Sequence, residues 1–271
     1  MTRPRAAPPK PMRTRIRSEN PHGPTRYGFC WEHVPAGEGP HLDYGCHDGR
    51  FLDSLRSKGI DRLVGADVCR EALERGRREH PDVEFVRVRD DAGLPFDDES
   101  FRSITLMDVL EHVPDQRACL LELRRLLRSD GLLILTVPGR HVFSALDVGN
   151  WKFLAPNIHR WFYVRKHSAE DYRRRFLEHP DGLIGDISAE KAWHEHFRRS
   201  QIRCLLKHCG LRAVFFDGAG LFSRVLRIGK IALGRFPRAA GLVDRLAVRD
   251  ARRFETTDVF CLARKDRLPG G

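Results

Sequence analysis

From Pro40 to Pro138 the chain alternates short apolar runs with longer stretches whose apolar residues recur every three or four positions. Short runs bounded by Gly, Pro and Asp predict strands, and the helical recurrence predicts crossovers between them. The expected strands are His41–Tyr44, Leu63–Asp67, Val83–Val88, Ser103–Met107 and Leu132–Val137. Phe51, Leu52 and Leu55 form one helical face. Leu120, Leu123, Leu126 and Leu127 form another, with Ser129-Asp130-Gly131 as its expected stop. Such repetition builds a parallel sheet wound in the right-handed sense, with its ligand at the carboxyl edge of the strands.

Beyond Pro138 the pattern changes. Residues 139–196 carry Trp151, Phe153, His159, Trp161, Phe162, Tyr163, Trp193, His194 and His196 without a sustained period. Within them, Ser168-Ala169-Glu170-Asp171 has the form of a capping box and predicts a helix to about Phe176. Periodicity returns at Ile202, Leu205, Leu206 and Cys209, where Gly210 closes a helix, and Leu211–Phe216 and Thr257–Ala263 add two strands. The expected fold is therefore α/β: a doubly wound, seven-stranded, mostly parallel sheet spanning 27–271, with an aromatic and His-rich cap at 139–196 inserted after the fifth strand.

Charge refines this picture at the amino end. The chain has 271 residues and a net charge of +11, yet residues 1–26 hold seven Lys/Arg against one Glu and so supply +6 of it. With Pro4, Pro8, Pro9, Pro11, Pro21 and Pro24 that leader has little to bury and is expected to be disordered. The remaining charge is modest and does not by itself argue for nucleic acid. No run of 18 or more apolar residues is present, and seven scattered cysteines suggest a reducing, cytoplasmic setting without a disulfide framework. Phe222 to Phe236 combines Phe222, Val225, Leu226, Leu233 and Phe236 with Arg224, Arg227, Lys230 and Arg235. A helix there would either pack on the sheet with a basic outer face or make a peripheral contact with an anionic membrane.

The chemistry starts at Leu42-Asp43-Tyr44-Gly45-Cys46-His47-Asp48-Gly49, a glycine turn between the first strand and the first helix of the repeat. Gly45 and Gly49 allow positive φ and close approach of a ligand to the backbone. Asp67 closes the next strand, where a carboxylate accepts ribose hydroxyls; the simpler alternative is that it caps the helix near Cys69-Arg70. A dinucleotide fingerprint would need glycines where His47 and Arg50 stand, which argues against a nicotinamide or flavin. Asp43 and Asp48 would repel phosphate but suit a cationic amine.

Further on, Asp90-Asp91-Ala92-Gly93-Leu94-Pro95-Phe96 follows the third strand, Phe101 to Val113 reads FRSITLMDVLEHV, and Leu127–Pro138 closes the series. Together with Leu42–Gly49 and Asp67, these motifs resemble those of class I S-adenosylmethionine-dependent methyltransferases of the small-molecule branch, a Rossmann-like family. The resemblance covers about residues 40–138, with a weaker echo at 197–217. It implies S-adenosyl-L-methionine as cofactor, with Asp43 and Gly45 facing its methionine part, Asp67 holding the ribose hydroxyls, and Cys46, Gly49 and Val68 among its further contacts. It also implies Asp90 and Asp91 at the adenine, and Met107 and Asp108 beside the sulfonium. Asp90 could instead be an ordinary turn residue, and His112 a packing residue. Two departures from the family pattern are His47, expected to be tolerated because the chain still turns on Gly45 and Gly49, and Arg102, expected to affect packing or solubility rather than binding.

A sulfonium carries its own leaving group, so the protein mainly aligns donor and acceptor, adding a general base where the acceptor is a neutral hydroxyl. Candidate bases are His141, His159, His194 and His196, of which His196 and His159 are preferred; Trp151, Trp161, Phe162 and Tyr163 are candidate pocket walls. His194-x-His196 lacks a partner motif for a metal, and none is expected. The leading expectation is methyl transfer to a small-molecule acceptor, most plausibly a hydroxyl of a sugar, polyketide or lipid-linked intermediate. The alternatives are an RNA/DNA methyltransferase and a non-catalytic protein on the same fold. The position after the fourth strand reads Met107-Asp108-Val109-Leu110, unlike the N/D-P-P-Y/F run of base-amino methylation, and no Pro-Cys nucleophile is present.

Overall fold

The computed structural model describes residues 20–22, 25–89, 93–140, 155–166, 168–176, 195–220 and 258–266, with isolated positions between 222 and 250. Asp90, Asp91, His141, Trp151, Trp193 and His194 lie outside the described residues, as does nearly all of 222–236. The chain runs α1 (Arg26–His33), β1 (His41–Tyr44), α2 (Arg50–Ser54, continued as a 3₁₀ turn Leu55–Lys58), β2 (Leu63–Asp67), α3 (Arg70–Glu79), β3 (Glu84–Arg87) and β4 (Phe101–Met107). Then follow α4 (Gln116–Leu126), β5 (Leu127–Pro138), α5 (Pro156–Lys166), α6 (Ala169–Phe176), α7 (Arg199–His208), β6 (Leu211–Ala219) and β7 (Asp258–Lys265). The seven strands form one sheet in the order β3-β2-β1-β4-β5-β7-β6. β1 to β5 are parallel, and β7 lies antiparallel between β5 and β6. All seven strands anticipated from the sequence are present.

Alternation along β5 divides the core. Leu133, Leu135 and Val137 join Leu120, Leu123, Leu126, Ile202 and Leu206 on one face. Leu132 and Ile134 join Phe29, Trp31, Phe51, Leu52 and Leu55 on the other. One boundary differs from expectation: α4 ends at Leu126, and Leu127 already pairs with Phe101 as β5 begins. Ser129-Asp130-Gly131 therefore lies within an extended strand, because buried Leu127 gains a ladder partner by leaving the helix.

α1 begins at Arg26, where the expected leader ends. Thr25 caps it by accepting from the Gly28 N–H, and Phe29, Cys30 and Trp31 are buried beneath it. Phe29 stacks on Phe260 at 5.0 Å, and the Trp31 indole donates to the Ser54 carbonyl. His22 also reaches the Ser54 hydroxyl at 2.8 Å, so the described residues 20–22 contact the folded body. Within the 139–196 region, α6 runs from Ala169 to Phe176 as the capping box predicts. α5 had no sequence signal. Its inward residues are His159 and Tyr163, packed on Tyr172 of α6, while Ile158, Trp161 and Phe162 are each about half exposed, so no apolar stripe faces the body. Trp161 and Phe162, two of the candidate pocket walls, meet edge to face on this helix. No helix among the described residues is long and apolar enough to cross a membrane.

Candidate functional site

Side chains alternate along a strand, so His41 and Asp43 share one face of β1; the register sets them against Ser103 and Thr105 of β4. All four are buried, on the sheet face that α1 covers. The Thr105 hydroxyl donates its single proton to Asp43 Oδ1 at 2.6 Å. His41 Nε2, 3.1 Å from Thr105 Oγ1, must therefore donate to that hydroxyl, leaving Nδ1 to accept from Ser103 Oγ at 2.8 Å. Burial pushes the imidazole down to about 3, so it is neutral as this chain of bonds requires. Burial also lifts the Asp43 carboxyl to about 7; the Thr105 bond opposes that shift and the nearby charge of Asp67 adds to it. Asp43 Oδ2 is buried and has no hydrogen-bond partner among the described residues. A buried carboxylate oxygen left open beside a glycine turn is a fitted acceptor for a cation's N–H.

The turn itself is tightly built. Gly45 (φ +86°) and Gly49 (φ +82°) both occupy the left-handed region. A Cβ on Gly45 would lie 2.2 Å from Val109 Cγ2, and one on Gly49 2.6 Å from the Phe85 ring. The Gly45 and Cys46 N–H groups both donate to the Ala66 carbonyl, at 2.7 and 3.1 Å. The Cys46 thiol points into the core beside Gly65, so this residue offers a ligand only backbone. His47 also takes a positive φ, +52°, so the turn needs three left-handed residues rather than two. The replacement of glycine there is a strained substitution, not a neutral one. His47→Val is accordingly expected to destabilise the fold by about 1–2 kcal/mol, and His47→Gly to leave it as stable or more so, read from urea midpoints.

Asp48 does not face the cofactor side. It lies 3.4 Å from each of His47 Nδ1, Arg50 Nε and Arg75 Nε. Burial works against its charge, but these neighbours outweigh burial and hold its carboxyl below the usual range. The expectation that Asp48 receives a cationic amine is therefore corrected: its left-handed predecessor turns the side chain toward α3. Asp67, in contrast, stands where the turn and α3 meet. Its Oδ2 accepts from the His47 N–H at 2.7 Å and its Oδ1 from the Cys69 N–H at 2.9 Å. Each oxygen keeps a further lone pair, so locking the turn and accepting ribose hydroxyls are compatible roles. The Val68 carbonyl accepts from Arg87 Nε at 3.3 Å.

Asp108 ends β4 with φ +51°. Its Oδ1 accepts from the Thr136 hydroxyl at 2.8 Å, and its Oδ2 lies 2.5 Å from Arg26 Nη1. Burial opposes the Arg26 charge, yet Asp108 more than compensates and raises its pKa further. Arg26, counted by sequence only as part of a basic leader, thus stands at the carboxyl edge of β4, next to Met107 and Asp108. The usable signal was Thr25, whose capping role starts a helix there.

The two preferred histidines part company. His196 precedes Phe197, whose N–H donates to the Pro138 carbonyl and whose carbonyl accepts from the Arg140 N–H at the end of β5. Glu195 accepts from Gln116 Nε2, which also donates to the Leu110 carbonyl, so this segment is fastened over the carboxyl edge of β4 and β5. His159 lies on α5 with its Nδ1 3.3 Å from the Tyr172 hydroxyl, inside a tyrosine cluster. The Leu94-Pro95-Phe96 stretch is clamped by α4: Glu122 accepts from the Leu94 N–H, and Arg125 donates to the Leu94 and Phe96 carbonyls. Arg102 donates to the Ala36 and Glu38 carbonyls at the opposite edge of the sheet, a packing role as expected.

A family model described as a methyltransferase domain matches residues 15–178. A ubiquinone biosynthesis O-methyltransferase of Neisseria meningitidis is 26% identical over 152 residues, covering 52% of this chain and 64% of that protein. A demethylmenaquinone methyltransferase of Staphylococcus saprophyticus is 31% identical over 148 residues, covering 52% of this chain and 63% of that protein. The chain therefore spans less than two thirds of the length of these curated relatives. Among solved structures, an S-adenosylmethionine-dependent methyltransferase of Mesorhizobium loti superposes with a TM-score of 0.54 at 13% identity, covering 89% of this chain and 99% of that one, a likeness of fold.

Proposed function

We propose, because this chain belongs to the methyltransferase-domain family and takes S-adenosylmethionine as its methyl donor, that it methylates a hydroxyl of a small-molecule acceptor bound over the carboxyl edge of β4 and β5. The observation that carries this reading is the open, buried Oδ2 of Asp43 beside the Gly45 turn. Bound there, the cofactor supplies an electrophilic methyl group on a sulfonium. Asp43 receives the ammonium of its methionine part, and Arg26, released from Asp108, receives the carboxylate. Asp67 receives the ribose hydroxyls, with Val68, Asp90 and Asp91 lining the adenine. Met107 and Asp108, at the end of β4, would lie beside the sulfonium, where the protein aligns donor and acceptor.

His196 is the proposed base, taking the hydroxyl proton as the acceptor oxygen attacks. The two curated relatives are named for ubiquinone and menaquinone chemistry, which supports a small, quinone-like or phenolic acceptor. A second reading, RNA methylation, is favoured only by a cavity of about 250 Å³ lined by Arg70, Arg77, Arg87 and Arg89, net basic for phosphate although Glu74 also lines it and pairs with Arg70. Methyl-labelled cofactor offered with phenols, hydroxylated lipids and total RNA separates them. Label is expected in the phenol or lipid fraction; label in RNA alone would overturn the proposal. Arg26→Met is expected to raise KM for the cofactor about tenfold to a hundredfold with a smaller change in kcat, from the loss of one charge-assisted contact.

A further inference from the structure

On the sheet face beneath α1, four polar side chains stand where the rest of the layer is apolar. His41 and Asp43 of β1 lie beside Ser103 and Thr105 of β4. The register bounds this patch with Leu63 and Gly65 on β2 and with Leu132 and Ile134 on β5. Leu63, Leu132 and Ile134 belong to the same apolar cluster as Phe29 and Trp31. The four polar residues are each at most 2% exposed. Apolar residues of the same shape would bury there without needing partners, so stability alone does not select the patch. Its end at Asp43 meets the Gly45 turn.

The hydrogen bonds of the patch run in one direction. A threonine hydroxyl has a single proton, and Thr105 Oγ1 lies 2.6 Å from Asp43 Oδ1, 3.1 Å from His41 Nε2 and 3.5 Å from the Leu42 carbonyl. The bond to Asp43 has the length of a hydroxyl on an ionised carboxylate. His41 does not compete for that proton, because its Nε2 donates while its Nδ1 accepts from Ser103 at 2.8 Å. In the other tautomer Nε2 would take the Thr105 proton, and Asp43 Oδ1 would lose its donor. Burial keeps the ring neutral, and nearby Lys58 acts in the same sense. The imidazole therefore acts through its tautomer, not through a charge.

We infer that His41 is a positioning residue for cofactor binding: with Ser103 setting its tautomer, it directs the Thr105 proton onto Asp43 Oδ1 and leaves Oδ2 to meet the ammonium. Provided that Asp43 receives the ammonium, as proposed, this chain of bonds is what aims it. The Thr105 bond fixes the plane of the carboxylate and favours its ionised form. Among the described residues, the titratable groups that face Asp43 are Asp67 on β2, Cys46 in the turn and Cys30 on α1. The Asp67 charge opposes ionisation of Asp43, and burial holds both thiols protonated. Arg26 and Asp108 act beyond them, on Cys30.

The experiment is calorimetry of the full chain with S-adenosylhomocysteine, which carries the ammonium, and with methylthioadenosine, which lacks the amino-acid part. Thr105→Val and His41→Phe are expected to weaken S-adenosylhomocysteine about tenfold or more, from the loss of a charge-assisted contact, and to leave methylthioadenosine unchanged. The pH of half-maximal S-adenosylhomocysteine affinity should rise by about one unit, because the donor that favours the carboxylate is lost. Thr105→Ser and His41→Gln, which restore a hydroxyl and an N–H donor, should recover both. Should His41→Phe not fold, Ser103→Ala releases the ring to its other tautomer and is expected to show the same ligand-selective loss at smaller size. Imidazole NMR of the wild type, assigned by the resonance missing in His41→Gln, should find the proton on Nε2. A proton on Nδ1, or equal losses for the two ligands, would overturn the inference. Wild-type binding by Asp43→Asn would overturn it together with the reading of Asp43. A loss in Asp43→Asn beside wild-type behaviour of Thr105→Val and Ser103→Ala would overturn it alone.

Discussion

Asp67→Ala is expected to abolish measurable binding of S-adenosylhomocysteine by calorimetry and to lower the fold's stability by about 3–6 kcal/mol. Both effects follow from the same carboxylate. In the folded chain it accepts from the His47 and Cys69 N–H groups, at 2.7 and 2.9 Å, and so holds the turn and the start of α3 together. Removal leaves both donors without that acceptor, and each hydrogen bond to a charged group contributes about 1.5–3 kcal/mol. Two ribose hydroxyls on the same carboxylate would add a comparable amount to cofactor binding, which translates to a hundredfold or more in affinity. Asp67→Asn separates the two roles. Its amide oxygen keeps one backbone donor while its NH₂ opposes the other, so stability falls less than with alanine and affinity still falls sharply. A variant that melts early but binds with the wild-type Kd would show that Asp67 only caps the turn.

The contrast between Asp67 and Asp48 shows what a linear reading resolves. Strands were legible because burial imposes alternation or apolar runs on them, and Asp67 was legible because it ends one. Asp48 follows the left-handed His47, and a side chain's direction after such a residue is set by the turn, not by spacing. α1 was obscured by its neighbours: Gly28 and a Pro-rich basic stretch mask the buried Phe29-Cys30-Trp31 segment. Arg26 was consequently read as net charge, although a helix cap at Thr25 places it at the site. α5 was illegible for another reason. Its large side chains are spread around the helix rather than along one stripe, so they leave no period to read.

One signal was present and went unread. Strands of a parallel sheet covered on both faces are expected to be near-continuous apolar runs. β1 carries His41 and Asp43, and β4 carries Ser103 and Thr105, every second residue on one face. Polar residues at period two in such strands predict a buried hydrogen-bonded ladder, because unpaired they would be prohibitively destabilising. The register makes that ladder continuous, and it ends on Asp43.

This ladder leads to the other large effect. With its carboxyl raised to about 7 by burial, Asp43 exchanges its proton within the physiological range. Only the ionised form attracts the ammonium of the cofactor, so affinity for S-adenosylhomocysteine is expected to rise as pH climbs from about 6 to 8 and to level off above. The cofactor-free fold has the opposite dependence. An unfolded aspartate ionises near 4 and the folded one near 7, so folding takes up a proton between those values. Stability is therefore full below about pH 4 as far as this group is concerned, and is lost as pH rises toward 7, by up to about 4 kcal/mol at 1.36 kcal/mol per unit. Asp43→Asn keeps the acceptor for the Thr105 hydroxyl but never charges. It is expected to unfold at a higher temperature than the wild type at pH 8, to lose that part of the pH dependence, and to bind the cofactor at least a hundredfold more weakly. Melting curves at pH 5 and pH 8, paired with calorimetric titrations, read both halves. A variant that loses affinity without gaining stability at pH 8 would mean that Asp43 is already ionised and partnered in the cofactor-free protein, contrary to its open Oδ2. The stability sacrificed at this carboxylate is then the counterpart of cofactor affinity: the ammonium neutralises a charge that the empty fold cannot satisfy.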